Sequence, residues 1–271
     1  MGMIKQLVSA LALCLATALP GVAQTGIGTP VTAEILPGWV KADGTRIAAI
    51  KFKLAPGWKT YWRAPGDAGI PPQFDWSRSD NLRGVGITWP APKVFREGGV
   101  RTIGYKDELV LPITLAPRQT GKPMRLTATL DFGVCSDICV PQQLEVSALL
   151  DSTDRTPTPA IAAALAARAY SGSEAGVRSA TCSLRPTANG LTIETRLDMP
   201  PAGRRELVVI EPGQPGLWAG EMNSKRSGGT LTATGDLSAM SGGAVAIDRS
   251  AITITVLGDN RAIEIRGCTP G

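Results

Sequence analysis

LTATLDFGVCSDICVPQQLEVSALL, residues 126–150, sets two alternating apolar runs around one pair of cysteines. Leu126, Ala128, Leu130 and Phe132 alternate before the pair, and Leu144, Val146, Ala148 and Leu150 alternate after it. Period-two alternation is the mark of half-buried strands. Between the runs, Cys135 and Cys139 stand four positions apart. On an extended strand such positions lie roughly 13 Å apart, at about 3.3 Å per residue. A disulfide needs Cα atoms about 4.4–6.8 Å apart. A bond between them therefore requires Ser136-Asp137-Ile138 to turn tightly, as a hairpin tip or as one helical turn.

The same alternation spreads outward. Val31, Ala33 and Ile35 alternate, as do Ala48, Ile50, Phe52 and Leu54, then Val85, Ile87 and Trp89, then Leu109, Leu111, Ile113 and Leu115. Gly and Pro punctuate these runs, as in Ala55-Pro56-Gly57 and Pro90-Ala91-Pro92. Short strands, many turns and no long helical pattern predict an all-β chain with an antiparallel sandwich over 25–150. Residues 151–175 change character. A polar, Pro-rich stretch precedes an Ala-rich one with Ile161 and Leu165 a helical turn apart, which predicts a linker with a short helix packed on a sandwich edge. Segment 176–271 returns to strand patterning, with about seven strands expected, Cys182 on the first and Cys268 just past the last. Two domains suit the length.

The N-terminus reads as a cleavable secretory signal, residues 1–23. Lys5 supplies the positive start, Leu7 to Leu19 the apolar run, and Gly21-Val22-Ala23 the small residues before cleavage. The run is short for a membrane span, which needs about 20 residues, and none later approaches that length, so no transmembrane span is expected in the mature chain. Cys14 leaves with the signal. Losing Lys5 leaves 27 basic against 23 acidic side chains, a balance of +4 without a Lys/Arg run. Nucleic acid binding calls for a clustered basic face, so no nucleic acid partner is expected.

Four cysteines remain in an oxidising compartment, and four allow three pairings. Sequence order favours Cys135–Cys139 and Cys182–Cys268. The chain-entropy relation assigns about 2 kcal/mol to a five-residue loop and about 4.6 to one near ninety residues. Cys182–Cys268 is thus a structural disulfide closing the C-terminal half, whereas Cys135–Cys139 gains little and is a candidate for chemistry. The plainer reading of that pair is a small hairpin staple. The chain contains no histidine, which removes Ser-His-Asp triads, Cys-His nucleophile pairs and His metal sites. No metal site and no cofactor are expected. A soft Cu(I) site from Cys and Met stays open, although Met124, Met199, Met222 and Met240 are scattered.

Three features bear on reactivity. Pro141 removes a ladder donor close behind Cys139, which places the pair at a sheet edge. Asp137 lies between the cysteines with no Lys or Arg adjacent in sequence, which disfavours a strongly acidic thiol. Phe95-Arg96-Glu97-Gly98-Gly99, with two hinge glycines, suits a loop shielding the disulfide from stray thiols.

Several motifs in order carry a resemblance over roughly residues 30–150. They are Gly57-Trp58-Lys59-Thr60-Tyr61-Trp62-Arg63-Ala64-Pro65-Gly66-Asp67-Ala68-Gly69-Ile70-Pro71-Pro72, Phe74-Asp75-Trp76-Ser77, Trp89-Pro90-Ala91-Pro92, Ile103-Gly104-Tyr105, Leu111-Pro112 and 134–141. The chain is similar to the N-terminal periplasmic domain of the thiol:disulfide interchange protein DsbD, and more closely to that of the suppressor-of-copper-sensitivity ScsB-type proteins. The C-terminal half resembles the second immunoglobulin-like region of the latter, more weakly. The resemblance implies two immunoglobulin-like sandwiches and a periplasmic location. It also implies Cys135 and Cys139 as the redox pair, with Cys139 attacking. A shielding loop of Phe95, Arg96, Glu97, Gly98 and Gly99, with Tyr105 contributing, would cover them. The partners it implies are a membrane thiol-electron transporter that supplies reductant and periplasmic thioredoxin-like proteins that receive it. The cysteine spacing is shorter than in the best-known DsbD domain. No electron-transport or thioredoxin-like domain is visible in the sequence, so the chain is expected to act as a separate subunit, to find its reductant in another protein, or to have lost the activity. Two rival expectations are a non-enzymatic two-sandwich binding protein with structural disulfides, and a copper-handling protein. The motif over 58–72 has a plainer use, filling a core and setting a rigid turn, with Arg63 and Asp67 as candidate braces of the redox loop.

Overall fold

Alternation at Ala48, Ile50 and Phe52 buries one face of a strand, yet Ile47 and Ala49 on its other face are buried as well. The strand is therefore covered on both sides, and the architecture shows by what. The computed structural model describes residues 29–66, 68–97, 99–188, 190–239 and 247–271. The expected signal segment, with Cys14, lies outside them. Among the described residues no helix is long and apolar enough to cross a membrane.

The first half contains β1 (Val31–Val40), β2 (Arg46–Leu54), β3 (Lys59–Gly66), β4 (Gln73–Asp75), β5 (Leu82–Ile87), β6 (Lys93–Glu97), β7 (Val100–Lys106), β8 (Glu108–Pro117), β9 (Met124–Cys135) and β10 (Cys139–Leu150). One sheet runs β1-β2-β8-β5 and the other β10-β9-β3-β7-β6, with β4 also on β9. Their inner faces meet in a core that includes Ile50, Trp62, Ile103, Leu111, Leu130 and Val134. Helix α1 (Pro159–Ala166) lays Ile161 on the outer face of the first sheet, against Ile47, Ala49, Trp39 and Val110. The short helix thus covers a sheet face rather than an edge.

The second half contains β11 (Tyr170–Ser171), β12 (Ser179–Thr187), β13 (Gly190–Asp198), β14 (Glu206–Glu211), β15 (Leu217–Ala219), β16 (Asn223–Ser227), β17 (Thr230–Ala239), β18 (Thr253–Gly258), β19 (Ala262–Arg266) and β20 (Thr269–Pro270). Its sheets run β11-β19-β18-β14 and β15-β17-β13-β12-β20, with β16 on β17. The strands missed by alternation are the two-residue β11 and β20, the three-residue β15 and the polar β16. Among the described residues the chain is all-β apart from α1, with two sandwiches of immunoglobulin-like type that are antiparallel except for the short parallel pairings β11–β19 and β12–β20. A second core gathers Cys182, Ile193, Leu197, Val208, Ile254 and Ile263. Met124 packs in the first core, and Met199 and Met222 in the second. Met240 lies outside the described residues.

The two halves meet along β3 and β7. Leu257 and Ala262 of the second half join the first core. Arg63 donates from Nε and Nη2 to both carboxylate oxygens of Glu211 (2.8 and 2.9 Å) and from Nη2 to Glu264 (2.7 Å). Arg63 therefore ties the first half to the second. Asp67, its expected companion, lies outside the described residues.

Candidate functional site

Strands β9 and β10 pair in unbroken register from Leu150↔Met124 to Cys139↔Cys135. Their turn is a hairpin tip, closed by the Ser136 N–H donating to the Ile138 carbonyl at 3.0 Å. The hairpin sets Cys135 and Cys139 opposite one another, 4.2 Å apart at Cα, and they are bonded. Cys182 and Cys268 form the second disulfide, 5.7 Å apart at Cα, between β12 and the segment leading into β20.

The two redox candidates sit in unlike surroundings. Strand β10 is an edge of its sheet, whereas β9 lies between β10 and β3. Cys139 is exposed and Cys135 only 1% exposed. The edge placement expected for the pair holds for Cys139 alone.

Tyr61 completes the site. Its hydroxyl lies 2.7 Å from Cys135 Sγ and 3.2 Å from Cys139 Sγ. By register, Tyr61, Lys59, Gly104, Gly133 and Cys135 share the sheet face turned away from the core. That face is nonetheless covered at Tyr61, which is 2% exposed. A Cβ on Gly133 would stand 2.9 Å from both Tyr61 Cε2 and Ile70 Cβ, and one on Gly69 would stand 2.9 Å from Tyr61 Cδ1. The ring is thus seated against two glycines and Ile70. The 58–72 motif folds back over its own strand. A bulge between Tyr61 and Gly66 makes this possible: five residues of β3 are spanned by two of β7. Gly66, at φ +86°, closes the bulge where a Cβ would meet the Arg101 carbonyl at 2.8 Å.

Lys59 is the register partner of Cys135 and is buried. Its Nζ stands 5.3 Å from the centroid of the Phe95 ring. No cation neighbours the cysteines in sequence, but the sheet brings this one to the same face, where a positive charge favours a thiolate. Phe95 therefore reaches the site through Lys59. Arg96 is exposed on the same strand, and Gly99, at φ +81°, forms the β6–β7 turn. Gly98 and the side chain of Glu97 lie outside the described residues.

Tyr105 is not brought to the disulfide. Alternation along β7 turns it to the opposite, core face, where it stacks on Trp89 and donates to the Pro90 carbonyl at 2.7 Å. Burial holds its phenol well above the ordinary value, so it stays neutral. Tyr61 and Lys59 are the residues that sequence reasoning passed over. Both lie more than 70 positions from Cys135, inside a motif whose aromatic density was the one available signal. Among the described residues, no group of three or more Cys, Asp or Glu side chains is placed to hold a metal ion.

Residues 32–151 match the family model described as thiol:disulfide interchange protein DsbD, N-terminal. No curated protein matches the chain significantly. Among solved structures, the N-terminal periplasmic domain of ScsB from Proteus mirabilis is similar at a TM-score of 0.65 and 22% identity, covering 89% of this chain and 92% of that one. At this identity the likeness establishes the fold. The reduced DsbD N-terminal domain of Neisseria meningitidis aligns at a TM-score of 0.24 and 19% identity, over 38% of this chain and 77% of that one. With its cysteine hairpin, the first sandwich of this chain, residues 32–151, is thus similar to the N-terminal domain of the thiol:disulfide interchange protein DsbD.

Proposed function

We propose that this chain is a periplasmic thiol–disulfide exchange module. In this reading it takes reducing equivalents from a membrane reductase and passes them to thioredoxin-like proteins through Cys135 and Cys139. The observation that carries the reading is the asymmetry of the pair: an exposed Cys139 beside a buried Cys135, with one tyrosine hydroxyl on both sulfurs. The family match over 32–151 supports it.

In the reduced protein the Cys139 thiolate attacks a partner disulfide. A mixed disulfide forms and the first partner thiolate leaves. Cys135 then attacks Cys139 Sγ, the second partner thiolate leaves, and the Cys135–Cys139 bond closes. Two electrons pass to the partner. The membrane reductase restores the dithiol by the same exchange run in reverse. Tyr61 O–H donates to whichever sulfur carries the negative charge. Ile138, 53% exposed between the two cysteines, gives a partner an apolar foothold. Phe95, Arg96, Glu97, Gly98 and Gly99 are proposed as the shield that a docking partner displaces. The proposed domain division is a redox domain over 25–150, a linker over 151–175 and a second sandwich over 176–271. Two core clusters support it.

The test is the reduction potential of each disulfide, measured in glutathione and dithiothreitol buffers with mass-spectrometric thiol trapping. Structural disulfides of secreted proteins lie below about −300 mV and exchanging ones higher. A Cys135–Cys139 potential well above that of Cys182–Cys268 is expected. Cys135→Ala should trap a mixed disulfide through Cys139. Two equally resistant bonds, with no trapped species, would leave a stapled binding module in place of an exchanger.

A further inference from the structure

Strand β6 ends its sheet, pairing among the described residues only with β7. Its outer side opens on a cleft of about 1030 Å³ between the two halves. Lys93 and Val94, consecutive and so on opposite faces of the strand, both line this cleft, as do Ala91 and Pro92 before them. The cleft therefore meets β6 edge-on, along its backbone. An unpaired edge is a template for another extended chain.

The lining is basic. Lys93, Arg96 and Arg101 come from the first half and Arg205 and Arg261 from the second, against Glu206, Glu221 and Asp259. Glu206 is already held by Arg226 from outside the lining, at 2.5 and 2.8 Å. Charged residues on an edge strand often serve only to discourage aggregation, but Arg101 does not fit that use. It continues the core face of β7 past Ile103 and is 5% exposed. Its Nη1 donates to Glu221 at 2.5 Å, while its Nε has no hydrogen-bond partner among the described residues. A buried guanidinium N–H without an acceptor costs on the order of 1–3 kcal/mol. An acceptor entering the cleft would relieve that cost.

We propose that this cleft docks an acidic, extended segment of a partner protein by strand addition to β6. Main-chain hydrogen bonds to the β6 edge supply affinity. Carboxylates of the segment pair with Lys93 and Arg96 on one wall, Arg261 on the other and Arg101 at the floor. Val94, 37% exposed, meets an apolar side chain of the segment. The site uses neither cysteine, and it shares Arg96 and the β6 backbone with the segment proposed above as the shield.

The test is fluorescence anisotropy with a fluorescein-labelled hexapeptide of alternating glutamate and valine, at low ionic strength. Binding is expected to weaken with salt, to fall on the order of tenfold or more in the Lys93→Glu/Arg261→Glu protein, and to persist when both Cys135 and Cys139 are alanine. On the unaltered protein, the same peptide N-methylated at alternate amides should bind at least several-fold more weakly. No binding at low salt overturns the proposal. So does equal binding by the charge-reversed protein. Equal binding of the N-methylated peptide, or full displacement by citrate at equal carboxylate concentration, would also overturn it, showing general anion attraction.

Discussion

Replacing Tyr61 with Phe removes one hydroxyl and leaves the ring seated on Gly133, Gly69 and Ile70. The hydroxyl, on a buried ring, lies 2.7 Å from the sulfur of buried Cys135 and 3.2 Å from that of exposed Cys139. A disulfide sulfur is a weak acceptor, whereas a thiolate is a charged one. The hydroxyl therefore stabilises the reduced state more than the oxidised state. A hydrogen bond to a charged group contributes about 1.5–3 kcal/mol, and a neutral one about 0.5–1.5. For a two-electron couple, about 1.4 kcal/mol corresponds to 30 mV. Near pH 9, with the attacking thiol ionised, the Tyr61→Phe potential should be about 30–60 mV more negative than that of the unaltered protein. Near pH 6 the shift should shrink to about 10–30 mV. The Cys139 thiol should ionise less readily, because the lost hydroxyl favours the thiolate over the neutral thiol. Redox-buffer equilibration with thiol trapping measures the potential, and alkylation rate against pH measures the thiol. A purely structural tyrosine would lower thermal stability in both redox states and move neither quantity. Potentials unchanged within about 10 mV at both pH values would refute the role assigned to this hydroxyl.

Further outcomes follow from the same geometry. Gly133→Ala pushes a Cβ to within 2.9 Å of Tyr61 and Ile70. It should cost about 1–3 kcal/mol in urea unfolding and, by lifting the ring, speed dithiothreitol reduction of Cys135–Cys139. Loss of Cys182–Cys268 as serines should cost up to about 4.6 kcal/mol, against about 2 for Cys135–Cys139, a contrast read from paired denaturation curves. Burial pushes the Glu264 carboxyl up, but the Arg63 and Arg266 guanidiniums outweigh it and hold the group below its ordinary value of 4.5. A depressed carboxylate contributes stability that is complete above the unfolded value and is lost as pH falls through the folded one. Glu264→Gln should therefore flatten the loss of stability below about pH 4.5, seen as a smaller drop in unfolding temperature on acidification. Limited proteolysis between the halves should quicken in Glu211→Gln/Glu264→Gln, which leaves Arg63 without its carboxylates. A proteolysis rate equal to that of the unaltered protein would show that the Arg63 tie does not hold the halves together.

The sequence by itself determined the strand character of both halves and the tight turn between Cys135 and Cys139. Period-two alternation reports which side of a strand is buried, and a four-residue spacing between bonded cysteines admits few backbone paths. The hairpin followed because the flanking runs are both strands. Strands β3 and β7 escaped that reading because they are buried on both faces at Tyr61, Trp62 and 101–105, so no alternation marks them. Sheet order decided the rest. Only the placement of β3 beside β9 brings Lys59 level with Cys135, and only the bulge that returns 68–72 over the outer face seats Tyr61 on the sulfurs. Tyr105 shares its motif's aromatic character but turns to the core, because a strand sends successive side chains to opposite faces and its register puts it on the wrong one. Strand partners and loop returns depend on residues dozens of positions apart packing together, and local pattern carries no record of that choice.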